Sequence, residues 1–229
     1  MLQALLNNKF PDINIWKEDL KTSTVLGNLI YLPSFIIYKI LKRACAIKTP
    51  QNVGELCSYS FWSKYSADDE SITNSRYVEP DVVFQFDQLD MIIEAKMSDY
   101  CGQYEEQWDK EVCSFCVEHG YSKPIILIAL GGCTNLDPKD RTILFNNQSI
   151  NKSINYSVYK CTWHSLLSTL DQEYHETQDR THARILENII WGLNMFGVHN
   201  IIWLETLNKN NLSINQSSIS IFNSSIWKK

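Results

Sequence analysis

Between Val78 and Lys96 apolar residues alternate with other types in two short runs, and this alternation constrains the fold more than any other stretch. Val82, Phe84 and Phe86 take every second position of the first run, and Met91, Ile93 and Ala95 do the same in the second. Apolarity of period two marks a strand with one buried face. Asp87-Gln88-Leu89-Asp90 between the runs supplies turn residues, so the stretch reads as a β-hairpin. With a loop at Gln88-Leu89, Asp87 pairs with Asp90, Gln85 with Ile92, Val83 with Glu94 and Asp81 with Lys96, because antiparallel partners keep a constant sum. Asp81 then faces Lys96 directly at ~4.5–5.5 Å between Cβ atoms, and Glu94 diagonally at ~7–8 Å. Two carboxylates and an ammonium are expected on one face, with Ala95 turned to the opposite, apolar one.

That trio suits a hard divalent cation. Magnesium takes a few carboxylate oxygens and completes its shell with waters and phosphate oxygens. A cation held this way polarises a phosphodiester and makes its bound water more acidic, while an ammonium beside it orients the water or neutralises developing charge. From Cys101 to His119 the residues Tyr104, Trp108, Val112, Phe115 and Cys116 recur at helical spacing, with Gln103, Gln107 and Lys110 as a second stripe. This helix starts shortly after Lys96. Its N-terminal half is therefore expected beside the site, where amide side chains and free backbone donors meet water or phosphate.

Pro80-Asp81, twelve intervening residues and Glu94-Ala95-Lys96 resemble the signature of the PD-(D/E)xK nuclease superfamily, which includes restriction enzymes, repair nucleases and phage-defence effectors. The resemblance implies an α/β fold with a restriction-endonuclease-like αβββαβ core, a mixed central sheet flanked by helices. It implies Asp81 and Glu94 as ligands of Mg²⁺, for which Mn²⁺ substitutes, and Lys96 as the catalytic lysine. It also implies a helix glutamine bordering the site, Gln107 or Gln103, and a further glutamate ligand, Glu55 by chain order with Glu18 as the alternative. The implied activity is that of a Mg²⁺-dependent endonuclease hydrolysing phosphodiester bonds in nucleic acid, DNA first, in phage defence, restriction or repair. The competing expectation is a non-catalytic nuclease-like subunit that binds nucleic acid or protein in a larger complex. The intact trio argues against it, since a structural role does not require those three residue types together.

The order of elements agrees with such a core. Pro33 opens a helix with Ile37, Ile40, Leu41 and Ala44 on one face, ending near Lys48. Cys57 to Tyr65 reads as a strand, the hairpin adds two, and Pro124 to Leu130 is an apolar run suited to a buried strand. Helix, three strands, helix, strand is expected over about residues 30–131, with additions over 132–229 in a single domain. The additions read as a strand at Tyr156–Thr162 and helices at Trp163–Leu170 and Thr177–Phe196, the latter with Arg180 and Arg184 on a solvated side. From Asn208 the chain is rich in Ser and Asn, with Ile219, Ile221, Phe222 and Trp227 as a docking segment or edge strand.

At 229 residues and 44% hydrophobic composition the chain can bury a full core. Its formal net charge of -5 runs against the usual basic character of nucleic-acid binders, whose affinity rests on phosphate contacts. A protein partner or a second copy is expected to supply grip. Seven cysteines in no regular pattern read as thiols of a reducing cytosol, and Cys113 and Cys116, on one helix with His119, read as core thiols rather than zinc ligands. The N-terminus shows no basic-then-apolar signal, and the run from Val25 to Leu41 is broken by Asn28, Pro33 and Lys39. A cytoplasmic protein without membrane spans is expected.

Overall fold

A computed structural model of the chain describes residues 18–66, 77–100, 102–147 and 150–200. All its elements lie within the unit Met1–His199. Two helices come first, α1 (Glu18–Leu29) and α2 (Ser34–Ala44). Glu18 and Asp19 occupy the first turn of α1, and Lys42 and Arg43 the last turn of α2, each sign complementing the helix dipole. Strands β1 (Leu56–Phe61), β2 (Tyr65–Ser66), β3 (Tyr77–Val78), β4 (Val82–Phe86) and β5 (Asp90–Ala95) follow. The chain continues through α3 (Glu105–His119), β6 (Ile125–Leu130), β7 (Lys139–Asn147), β8 (Ile150–Cys161), α4 (Trp163–Glu176) and α5 (Arg180–Met195).

Six strands form one mixed sheet in the order β1-β4-β5-β6-β8-β7, and β2 pairs with β3 separately. β4 runs antiparallel to both its neighbours β1 and β5, β5, β6 and β8 are parallel, and β7 returns antiparallel to β8. The fold is α/β, an open mixed sheet flanked by five helices among the described residues. β6 lies in the middle and all six of its residues are buried, as its continuous apolar run predicts.

The sheet separates two cores. On one face Val82, Phe84, Phe86, Met91, Ile93, Ile126 and Ile128 pack with residues of α1, α2, α4 and α5. On the other, Val83, Ile92, Leu127, Ala129 and Val158 pack with Trp108, Val112 and Phe115 of α3. The predicted alternation of the hairpin is therefore present, and the row that carries Glu94 also carries Val83 and Ile92, which pack against α3.

The hairpin register differs from the predicted one by two residues. Val82 pairs with Ile93, Val83 with Ile92, Phe84 with Met91 and Gln85 with Asp90. Leu89 is fully buried rather than a loop-tip residue. The turn is tied to the chain before β1, with Asp87 N–H donating to the Glu55 carbonyl and Gln88 N–H to the Val53 carbonyl, both at 3.0 Å. A slip of two keeps every side chain on its face, whereas a slip of one would invert them all.

Other boundaries also shift. The predicted strand at Cys57–Tyr65 stops at Phe61, because Trp62 takes a left-handed φ of 49° and Tyr65 joins β2. The helix expected to run to Lys48 ends at Ala44. The Trp163 helix runs on to Glu176, and the strand foreseen at Tyr156 begins at Ile150, paired with β7. The Ser/Asn-rich segment from Asn208 lies outside the described residues.

Candidate functional site

Asp81 stands immediately before β4, so the observed register places it next to Glu94 rather than opposite Lys96. Trp62 explains its orientation. The left-handed turn at Trp62 aims the indole Nε1 at Asp81 Oδ1, 2.9 Å away, and the Trp62 N–H donates to the Asp81 carbonyl at 3.1 Å. Ala95 N–H donates to Asp81 Oδ2 at 2.8 Å, which ties β4 to the end of β5. Asp81 and Glu94 are 7% and 2% exposed. Burial pushes the Asp81 carboxyl well above the usual carboxylate range, and the neighbouring Glu94 adds to the rise against the Ala95 hydrogen bond.

Lys96 is positioned through its backbone. Its N–H donates to the Leu130 carbonyl at 2.8 Å, and Trp163 Nε1, at the start of α4, donates to its carbonyl at 2.7 Å. Gly131 permits this approach at a φ of +71°, since a Cβ there would stand 2.8 Å from the Lys96 carbonyl oxygen and 2.9 Å from Trp163 Nε1. The Lys96 ammonium forms an ion pair with Glu94 Oε1. Burial pulls its affinity for a proton down, but the charge of Glu94 and the hydrogen bond between them outweigh this and hold it above the usual lysine range.

Helix α1 clamps the residue that follows. Glu18 Oε2 accepts from Met97 N–H at 2.6 Å, and Lys21 Nζ donates to the Met97 carbonyl at 3.0 Å. Glu18 Oε1 lies 3.7 Å from the Lys96 ammonium. Desolvation raises the Glu18 carboxyl above its ordinary value, against the pull of Lys96 and the Met97 N–H.

The structure thus brings Asp81, Glu94, Lys96 and Gln107 together. Gln107 Nε2 donates to Glu94 Oε1 at 2.7 Å, whereas Gln103 Nε2 reaches only the Glu94 backbone carbonyl, at 2.9 Å. Glu55 does not join them. It sits beside the β4–β5 turn at the other end of the hairpin, with Oε2 accepting from Ser34 Oγ at 2.7 Å. Glu18, the alternative to Glu55, is the one that lies near the cluster, through its contact with Lys96. Glu111 was not foreseen: it is 1% exposed and its Oε1 accepts from Gln107 Nε2 at 2.9 Å. Its one sequence signal is a carboxylate one turn after Gln107 and beside apolar Val112. Cys116 lies in the core against α3's neighbours, and Arg180 and Arg184 are exposed.

Among the described residues no three His, Cys, Asp or Glu side chains form a ready-made cage. Two adjacent carboxylates are nevertheless the donor chemistry that Mg²⁺ takes when water and phosphate supply the rest. Each Asp81 oxygen uses one lone pair on a donor and keeps another. The repulsion between Asp81 and Glu94 is what a cation between them relieves. The residues fit such an ion, with Asp81 and Glu94 as its holders.

Fold and site together define an α/β protein with a pair of buried carboxylates and a half-buried lysine at the C-terminal ends of β5 and β6. No family model matches the chain. It is 30% identical over 210 residues to the uncharacterized protein PM0110 of Pasteurella multocida (strain Pm70), an alignment covering 85% of this chain and 76% of that protein. The chain belongs to the family of that protein. No described helix is long and apolar enough to cross a membrane.

Proposed function

We propose that the protein is a Mg²⁺-dependent nuclease of the PD-(D/E)xK kind, with α2, β1, β4, β5, α3 and β6 as a restriction-endonuclease-like core. The single observation that carries this reading is the buried Asp81–Glu94 pair with Lys96 on Glu94, all fixed by backbone contacts. Asp81 and Glu94 would hold the ion. When bound, it polarises the phosphodiester and lowers the pKa of the attacking water.

The chain's own residues do the rest. Gln107 holds the Glu94 carboxylate from the side of α3. Lys96, a protonated ammonium, orients the water or balances the charge that grows on the phosphorane oxygens. Trp62 and the Ala95 N–H keep Asp81 from turning away. The substrate is nucleic acid, with DNA the first choice, and restriction, repair or phage defence the setting. The net charge of -5 supports a partner or second copy as the source of grip.

Plasmid, linear duplex, single-stranded DNA and RNA are incubated with the purified protein in Mg²⁺, Mn²⁺ or EDTA. Cleavage of at least one substrate is expected with metal alone, falling about 100- to 1000-fold or more in Asp81→Ala and Glu94→Ala. Undiminished cutting by Glu94→Ala removes the assignment.

A further inference from the structure

Three parallel strands, β5, β6 and β8, end on the edge that carries the site, and ligands of open α/β sheets bind at that edge. β5 brings Glu94 and Lys96 to it, and the chain leaves β6 there through Gly131, which has no side chain. β8 brings Lys160. In the parallel ladders Glu94 pairs with Ala129 and Ala129 with Lys160, so the three share one row and one face of the sheet. Two interstrand steps set the backbones of Glu94 and Lys160 ~9.5 Å apart, with only a methyl group on β6 between them.

Lys160 is half-buried, and among the described residues it pairs with no carboxylate. Its neighbours on this side of the sheet are committed: Lys96 to Glu94 and Glu18, Lys21 to the Met97 carbonyl, Arg141 to Glu105 and Asp109. Lys110 belongs to a different wall, the groove it lines with Glu105 and Glu106. The contact Lys160 does make is with Trp108, whose ring centroid lies 6.0 Å from Nζ. At that distance a ring face is a weak counterpart to an ammonium and offers its three N–H donors no oxygen. Trp108 also ties Lys160 to the site. Its Nε1 donates to Gln103 Oε1 at 2.7 Å, and Gln103 Nε2 donates to the Glu94 carbonyl.

We infer that Lys160 binds a phosphate of the nucleic-acid strand next to the one being cut, and so fixes where along the sheet edge the strand lies. This rests on the nuclease reading of the Asp81, Glu94 and Lys96 cluster. A strand whose scissile phosphate is held at Glu94 carries a further negative charge on either side, and along the row of the sheet the cation that meets it is Lys160. Such a contact positions the substrate and reads no base. On a chain of net charge -5 it is one of few phosphate contacts, so its loss is a large share of the whole.

Binding of a labelled short DNA duplex and of its separate strands, in Ca²⁺ and at several salt concentrations, tests this without cleavage. Lys160→Met keeps the aliphatic stem and removes the charge. It is expected to weaken binding about 3- to 10-fold. The slope of log affinity against log salt should become shallower by about 0.9 on the duplex or about 0.7 on a strand, the share of one phosphate contact. Lys160→Arg should keep the slope, and so should Lys48→Met, a change in the exposed loop before β1. In Mg²⁺, Lys160→Met should raise KM and leave kcat near the wild-type value, because the contact is the same in ground and transition states. If Lys160 serves only to pack on Trp108, Lys160→Met lowers the melting temperature and leaves the slope alone, which overturns the inference. Should that variant fail to fold, Lys160→Gln replaces it with the same expected and contrary results. An equal loss of slope in Lys48→Met also overturns it. An unchanged slope in Lys160→Met, with cleavage still lost in Glu94→Ala, overturns the phosphate contact and leaves the proposed function standing. A wild type that neither binds these DNAs nor cuts any nucleic acid with metal overturns both.

Discussion

Glu18 and Glu55 are chemically identical, and the structure sets them at opposite ends of the hairpin. Glu55 is close to the first strand in the chain but is held by Ser34 at the far end of the hairpin. Glu18 is 79 positions from Met97 and yet receives its N–H. Glu18→Gln is therefore expected to weaken the Mg²⁺-induced rise in melting temperature and to slow cleavage, while Glu55→Gln leaves both unchanged; the reverse pattern would return the role to Glu55. Lys21, 2% exposed, gives a pH signature. Burial lowers its pKa from 10.5 to about 8, against the pull of Asp99 and Glu18. Below the lowered value both folded and unfolded chains carry the proton, and the folded chain bears the whole cost of the buried charge. Between about 8 and 10.5 the unfolded chain binds more protons, so stability rises with pH across that window. Melting curves should show wild type gaining on Lys21→Met from pH 8 to 10.5, and parallel curves would refute the shift. Asp81, Glu94 and Lys96 were legible because they are local to one hairpin. Glu18 was legible only as the alternative to Glu55, because α1 reaches the site through long-range packing, and Glu111 was not legible, because a helical glutamate ordinarily reads as a solvated charge.

At the scale of elements, β6 and the hairpin faces were legible from apolar period alone, whereas register was not. Register depends on the turn, and the turn is set by carbonyls of Val53 and Glu55, contacts that lie more than thirty residues away in the chain. Leu89 anchors that turn in the core. Leu89→Ala is expected to cost about 2–5 kcal/mol in denaturant unfolding, the range for a buried leucine that leaves a cavity. A loss typical of a surface turn residue would contradict the observed register. Strand β7 escaped sequence reading since its first half, Lys139-Asp140-Arg141-Thr142, is polar and carries no alternation. Its Arg141 is bound by Asp109 of α3, Nε to Oδ1 at 2.8 Å, so a loop-like sequence is held as a strand by long-range pairing. Gly131 joins β6 to the site. Gly131→Ala should displace the Lys96 carbonyl or Trp163, lowering both melting temperature and cleavage, and a variant normal in both would show that the close approach is not needed.

At the scale of the whole molecule, the charge balance bears on how the protein meets its substrate. A formal charge of -5 offers no general attraction to phosphate, and few Lys or Arg contacts flatten the salt dependence of binding. The chain alone is expected to bind a short duplex weakly in Ca²⁺, with little change between two salt concentrations. Tight, steeply salt-dependent binding would show a basic groove assembled from distant residues and remove the need for a partner. The most direct test of the proposed hydrolytic centre separates metal binding from chemistry at Lys96, the residue proposed to contribute charge without holding the ion. In Mg²⁺, Lys96→Ala is expected to keep the metal-induced rise in melting temperature and to lose cleavage by about 100- to 1000-fold. Cleavage at the wild-type rate by Lys96→Ala would contradict the assignment of this cluster as the catalytic site.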